Sequence, residues 1–216
     1  MSISAVCLNG EASRTGFDII QITDGLTRKS NKYFPPGAYI WTENARRPYT
    51  IYSGTDEADL ALVSLLNART ENQLGAFASK YGFLTAPYPH HHGECASVTA
   101  SRAVVEDLRK LSKNLKEGNF SSSKPLPNGL TVSPFSVSFN FWLLPAETPL
   151  GFSPVLMTFS LYSFLAHEVI TRALGNRPLL VCTACGDFVR SARRDTKFCS
   201  GRCRTAFSRA VNKKTL

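Results

Sequence analysis

Apolar and polar positions trade places at short period over residues 17–22, 38–42 and 49–52, the pattern of half-buried strands. Pro35-Pro36-Gly37 and the polar run 43–47 break these pieces apart, so a small antiparallel sheet is expected. The period then lengthens. Ser53 with Asp56 three residues on gives a capping signal, after which Leu60, Leu62, Val63, Leu65 and Leu66 make an apolar face for a helix ending near Ala68. Thr70 with Gln73 matches a capping box, and Leu74, Phe77, Ala78 and Tyr81 recur at helical spacing until Gly82. A third helix is expected over 98–117 through Val104, Val105, Leu108, Leu111 and Leu115, with Gly118 just past its end.

Residues 119–134 are rich in Ser, Pro, Gly and Asn and read as an exposed loop or hinge. Residues 131–144 alternate in part as a strand does, notably at Phe135, Val137, Phe139 and Phe141. Ser153-Pro154 supplies an N-cap with proline at the first helical position, so 155–174 is expected to run as an apolar helix closed by Gly175. The sum over residues 1–176 is an α+β domain with a small antiparallel sheet and several helices, without internal repeats and of unspecified role.

Composition adds bounds. With 43% hydrophobic and 19% charged residues among 216, the chain belongs with folded domains and not with disordered or collagenous ones. At about 150 residues per domain that length allows one domain and a fraction. No apolar run reaches the roughly 18 residues of a membrane span, because Thr158, Ser160, Tyr162 and Ser163 interrupt the best stretch, so no membrane partner is expected. The first residues lack the cationic start and long apolar stretch of a signal peptide, which points to a reducing, cytoplasmic setting.

The net charge of +9 sits almost wholly at one end. Residues 177–216 hold ten Lys or Arg against two Asp, so the expected second unit, 177–216, is strongly cationic. Like charge crowded into one segment repels itself unless it serves a polyanion, which points to nucleic acid or an acidic partner; a solvated basic tail is the plain alternative. Four of the six cysteines, Cys182, Cys185, Cys199 and Cys203, lie in the same segment with the spacing C-x2-C-x13-C-x3-C. Two close thiol pairs joined by a short loop deliver four soft ligands to tetrahedral corners, so Zn2+ is the expected cofactor. Two disulfides would suit a secreted chain.

Local structure around these cysteines follows. Leu179-Leu180-Val181 leads into the first pair as a short strand, Phe188-Val189 and Lys197-Phe198 are expected as two arms of a hairpin turning at 191–194, and Ser200 caps a helix to about Lys213. At about 100° per residue Arg202, Arg209 and Lys213 form one stripe, away from the face of Cys203, Phe207 and Ala210. This stretch resembles the treble-clef zinc fingers, and over residues 180–209 it is similar to the C-terminal zinc modules of bacterial proteins that include the CGNR-type fingers. The features carrying the likeness are Phe188, the Arg-rich turn 190–194 and Phe198-Cys199-Ser200; at the signature itself Cys203 is followed by Arg-Thr-Ala instead of Gly-Asn-Arg. The resemblance implies DNA binding in a transcriptional regulator, although treble clefs also serve RNA, protein partners and stability.

Other chemistry is thin. His90-His91-His92 with Glu94 and Cys95 reads as a solvated loop, since consecutive side chains cannot easily share one tetrahedral ion. His167-Glu168 begins like a zinc-protease helix, but Thr171 stands where the second histidine belongs. Cys7 and Cys95 read as buried structural thiols. Tyr33, Phe34, Tyr39, Trp41, Tyr49 and Tyr52 near Arg46 and Arg47 fit either the core and rim of a sheet or a base-stacking surface. No catalytic residues are assigned.

The sequence therefore leads to a zinc protein that binds nucleic acid, DNA ahead of RNA, as a regulator. Cys182, Cys185, Cys199 and Cys203 would hold the metal, while Arg190, Arg193, Arg194, Lys197, Arg202, Arg204, Arg209 and Lys213 would contact phosphates. Two alternatives stay open: a finger that docks a protein partner or forms a homo-oligomer, and an N-terminal enzyme or toxin that the finger targets.

Overall fold

Among the described residues, strand pairing builds two four-stranded sheets and a two-stranded ribbon. The computed structural model describes residues 5–23, 35–43, 46–85, 88–90, 93–117, 140–145, 152–175, 179–189 and 196–212. The elements begin with β1 (Ala5–Ser13), β2 (Asp18–Ile22), β3 (Gly37–Glu43), β4 (Arg46–Tyr52), α1 (Asp56–Leu66) and α2 (Glu71–Tyr81). Next come β5 (Tyr88–His90), β6 (Gly93–Ser97), α3 (Val98–Glu117), β7 (Asn140–Pro145), β8 (Phe152–Thr158) and α4 (Leu161–Leu174). The chain closes with β9 (Leu180–Val181), β10 (Phe188–Val189) and α5 (Gly201–Asn212). One sheet has the order β4-β1-β8-β7, the other β2-β3-β6-β5, and β9 and β10 form a two-stranded ribbon. The fold is α+β, and among the described residues its one parallel pairing is β1 with β8.

Period-two alternation turns each sheet into two faces. In β1, Leu8 joins the main core while its neighbour Cys7 packs with Val155 and Met157 in a separate cluster. In β3, Ile40 enters the main core while Tyr39 packs with Ile22 and Cys95. That core draws Leu8 and Ile51 from one sheet, Ile40 from the other, and the inner faces of α1 to α4, among them Leu62, Leu65, Phe77, Leu108 and Phe164. Helix α2 touches both β1 and β3, so it lies where the two sheets converge.

Helix ends are fixed by side chains. The capping box of α2 forms as its sequence predicts: the Gln73 amide N–H donates to Thr70 Oγ1 at 3.2 Å, and Gln73 Oε1 accepts from the Thr70 N–H at 3.0 Å. At its other end Gly82 has φ +83°, and a Cβ there would stand 2.8 Å from the Glu11 carbonyl oxygen. Helix α3 occupies the expected 98–117 span. Helix α1 is capped by Thr55 and not by Ser53, because Gly54, at φ +74°, is still turning the chain out of β4. Its last turn carries no basic residue; Arg109 of α3 supplies one, donating from Nε and Nη2 to the Leu66 carbonyl at 2.9 and 2.6 Å. A cation on those open carbonyls complements the helix dipole.

Three expectations are corrected. The helix expected at 155–174 starts at Leu161, with Ser160 Oγ as its cap accepting from the Ser163 N–H at 3.2 Å. Residues 152–158 are instead strand β8, which pairs with β7 over 152–157 and with β1 over 155–158; a short apolar run fits either period, and two available ladders decide it. The expected strands do not share one sheet, since β4 pairs with β1 while β2 and β3 pair with β6. The histidine tract with Glu94 and Cys95 is not all loop: Tyr88 to His90 pair with Gly93 to Cys95, and Cys95 is buried. His91, His92 and the 119–134 segment lie outside the described residues.

Among the described residues the aromatics divide between the two sheets instead of sharing one stacking surface. Tyr39 and Trp41 belong to β3, whereas Tyr49 and Tyr52 belong to β4 in the other sheet, where the Tyr49 hydroxyl donates to the Tyr81 carbonyl. Tyr33 and Phe34 lie outside the described residues. On α4, Glu168 is buried, and its Oε2 accepts from the Gly54 N–H at 3.3 Å with His167 Nδ1 3.7 Å from Oε1. Cys7 and Cys95 are buried free thiols; burial, then the Glu94 charge, pushes Cys95 up to about 11. Among the described residues no helix is long and apolar enough to cross a membrane.

Candidate metal centre

The first cysteine pair sits at the tip of the β9–β10 ribbon. Phe188 pairs with Val181 and Val189 with Leu180, so the residues between must reverse direction. Gly186, at φ +75°, allows the reversal: its N–H donates to the Cys182 carbonyl at 2.9 Å, and the Cys182 N–H donates to the Asp187 carbonyl at 2.7 Å. The second pair sits at the start of α5. Ser200 caps that helix, its Oγ accepting from the Cys203 N–H at 3.2 Å, which places Cys199 just before the helix and Cys203 in its first turn. The two halves are tied by Thr183, whose N–H and hydroxyl both donate to the Lys197 carbonyl, at 2.9 and 3.1 Å.

These local structures bring four sulfurs together. All four Sγ atoms lie within 4.8 Å of one another; Cys185 and Cys199 are 3.6 Å apart, Cys199 and Cys203 3.4 Å, and none is in a disulfide. A disulfide needs about 2.05 Å between sulfurs. Thiolates at about 2.3 Å from a tetrahedral ion stand roughly 3.8 Å apart, so the donor set and its spacing fit a thiophilic divalent metal. Proton sharing within the cluster is uneven. Burial pushes the Cys182 thiol up, but the backbone N–H groups of Cys199, Cys185 and Ala184 outweigh it and bring it down to about 6. At Cys185 the Asp187 backbone N–H pulls the thiol down, yet burial and the adjoining sulfurs and Asp187 carboxyl carry it up to about 12.

The expected hairpin between 188–189 and 197–198 is replaced by a different pairing. Strand β10 takes β9 as its partner, and the Lys197 carbonyl accepts from Thr183. Of the cationic residues singled out in the sequence, Lys197, Arg202, Arg204 and Arg209 are all exposed; Arg190, Arg193, Arg194 and Lys213 lie outside the described residues. Helix α5 is open to solvent along nearly its whole length, with Phe207 packing on Phe198 at 5.4 Å between ring centroids.

Sequence reasoning missed how this centre meets the rest of the protein. The turn between α1 and α2 reaches it. The Asn67 side chain donates from Nδ2 to the Phe188 carbonyl at 2.9 Å and accepts the Phe188 N–H on Oδ1 at 2.7 Å. Arg69 Nη2 lies 2.6 Å from Asp187 Oδ1 and donates to the Cys185 carbonyl at 3.3 Å. Phe188 packs against the main core. Residues more than a hundred positions apart leave no local signal of such contacts. Comparison of the chain with protein-family models, curated proteins and solved structures finds no match.

Proposed function

We propose that the four-cysteine cluster holds Zn2+ as a treble-clef finger akin to the CGNR-type modules, and that the finger binds nucleic acid, DNA ahead of RNA, through its cationic side chains. In this reading residues 177–216 are the binding unit and residues 1–176 a sensing or assembly unit of a cytoplasmic regulator. One observation carries the reading: helix α5 starts at the sulfur cluster and leaves Arg202, Arg204 and Arg209 exposed, Arg202 and Arg209 along one stripe, and Lys197 is exposed as well. A rigid, uncovered cationic helix is what phosphate binding needs, and the −2 charge of a zinc tetrathiolate still leaves the segment well positive. Arg190, Arg193, Arg194 and Lys213 extend the cationic set.

The test is a salt titration of duplex binding by the full chain and by a variant with Arg202, Arg204 and Arg209 changed to Gln. Every arginine–phosphate ion pair removed makes the slope of log K against log salt shallower by about 0.9. The expected result is weaker binding with a shallower slope; unchanged affinity and slope overturn the reading.

A second reading rests on Phe207 and Val211, which are 37% and 46% exposed on the same helix. Large apolar groups partly exposed on a solvent-facing helix suit a protein partner or a second copy of the chain. Concentration-dependent self-association that Val211→Ser abolishes, without retention of oligonucleotide, favours it.

A further inference from the structure

We infer that Asn67 and Arg69, in the turn between α1 and α2, act as an outer-shell clamp on the metal knuckle, so that metal occupancy and the order of that turn depend on each other. The inference rests on the metal reading of the four-sulfur cluster and adds the residues that tune it. Asn67 presents its carboxamide to both backbone groups of Phe188, as a neighbouring strand would, and so holds the strand that leaves the knuckle. Arg69 holds the knuckle itself through the Cys185 carbonyl. The same guanidinium pairs with Asp187, whose other oxygen lies 3.3 Å from Cys185 Sγ.

This pairing with Asp187 gives Arg69 an electrostatic task. With a thiol at Cys185, the S–H donates to the Asp187 carboxylate. Metal ligation requires the thiolate, which has no proton to donate and leaves two anions side by side. Arg69 is the cation placed against both the carboxylate and the ligand's own backbone, and it offsets that repulsion. As an exposed surface pair Arg69 and Asp187 would contribute little; beside a metal ligand their weight shows in metal affinity. The turn gains in return. Arg69 and Thr70 donate their backbone N–H groups to Gln73 Oε1, at 2.8 and 3.0 Å, so whatever fixes Arg69 also fixes the start of α2.

The experiment compares Zn2+ affinity, by competition with a chromophoric chelator, in the full chain and in Arg69→Gln, Arg69→Gln with Asp187→Asn, and Arg102→Gln. Arg102 pairs with Glu71, the first residue of α2, so it controls for loss of a neighbouring surface ion pair that does not include Asp187. Hydrogen exchange of residues 66–70 is followed before and after chelation. Arg69→Gln should weaken Zn2+ binding about tenfold, with Asp187→Asn recovering most of the loss and Arg102→Gln having no effect. Chelation should speed exchange at 66–70 in the unsubstituted chain. Wild-type affinity in Arg69→Gln, no recovery by Asp187→Asn, or exchange indifferent to chelation each overturns the clamp. A wild-type chain that takes up no Zn2+ overturns the metal reading itself. Arg69 is more than half exposed, so its replacement leaves the core intact.

Discussion

The side chain of Asn67 and the backbone of Phe188 form a two-way hydrogen-bonded pair, 2.9 Å in one direction and 2.7 Å in the other, across 121 residues of sequence. Both backbone groups are partly buried and depend on this one side chain. Asn67→Ala leaves them without those partners, which should destabilise the ribbon by about 1–3 kcal/mol. Faster hydrogen exchange at Phe188 with little change at Leu108 is the expected result; equal exchange at Phe188 in both proteins contradicts it.

On the metal reading of the four-cysteine cluster, chelation should unfold the C-terminal segment selectively. Helix α5 buries little apolar surface, so its order depends on the sulfur cluster. A chelator, or Cys199→Ser, should lower far-ultraviolet helical signal by an amount matching α5 while α1 to α4 persist. Cobalt should give the visible absorption of a tetrahedral thiolate site in the parent chain and not in Cys199→Ser.

Gly82 is held in place by two separate constraints, a positive φ and the Glu11 carbonyl 2.8 Å from where a Cβ would stand. Gly82→Ala should therefore cost about 1–3 kcal/mol, read as a fall in thermal midpoint. Gly16→Ala shares only the positive φ, with nothing within 4 Å, and should cost less.

The phenol of Tyr49 resists ionisation. Burial, followed by the charges of Tyr81 and Glu57, raises its pKa well above the ordinary value near 10. The unfolded chain releases this proton first, so the contribution to stability is complete below pH of about 10 and is lost as pH climbs past it. Alkaline denaturation should begin above that pH, with the Tyr49 phenolate signal appearing together with unfolding. In Tyr49→Phe the alkaline fall should be shallower.

Buried thiols should be silent. Cys7 is 1% exposed and Cys95 fully buried, and burial raises both pKa values. In native protein loaded with metal, neither should react with an alkylating reagent at neutral pH; modification of either without prior unfolding would contradict this placement.

What could be read from the chain was what neighbouring residues decide among themselves. Thr70 and Gln73 cap α2 because their partners are three residues apart, and α3 follows from a repeating apolar face backed by good helix formers. The four cysteines announce a metal-ready cluster for the same reason, since each pair closes one turn of ribbon or helix. Strand β1 was missed: Asn9, Gly10 and Glu11 interrupt its apolar pattern, and it is a strand because β4 and β8 flank it.

The amino-acid sequence by itself thus specified helices α2 and α3 and the four-cysteine cluster, where the governing contacts lie within a few residues. Folding in three dimensions decided that 152–158 is a strand, that β1 to β8 divide into two sheets, and that Asn67 and Arg69 reach the cysteine knuckle. Each of those outcomes depends on pairing a backbone group or a charge with a partner far along the chain, and no local pattern encodes which distant partner will be there.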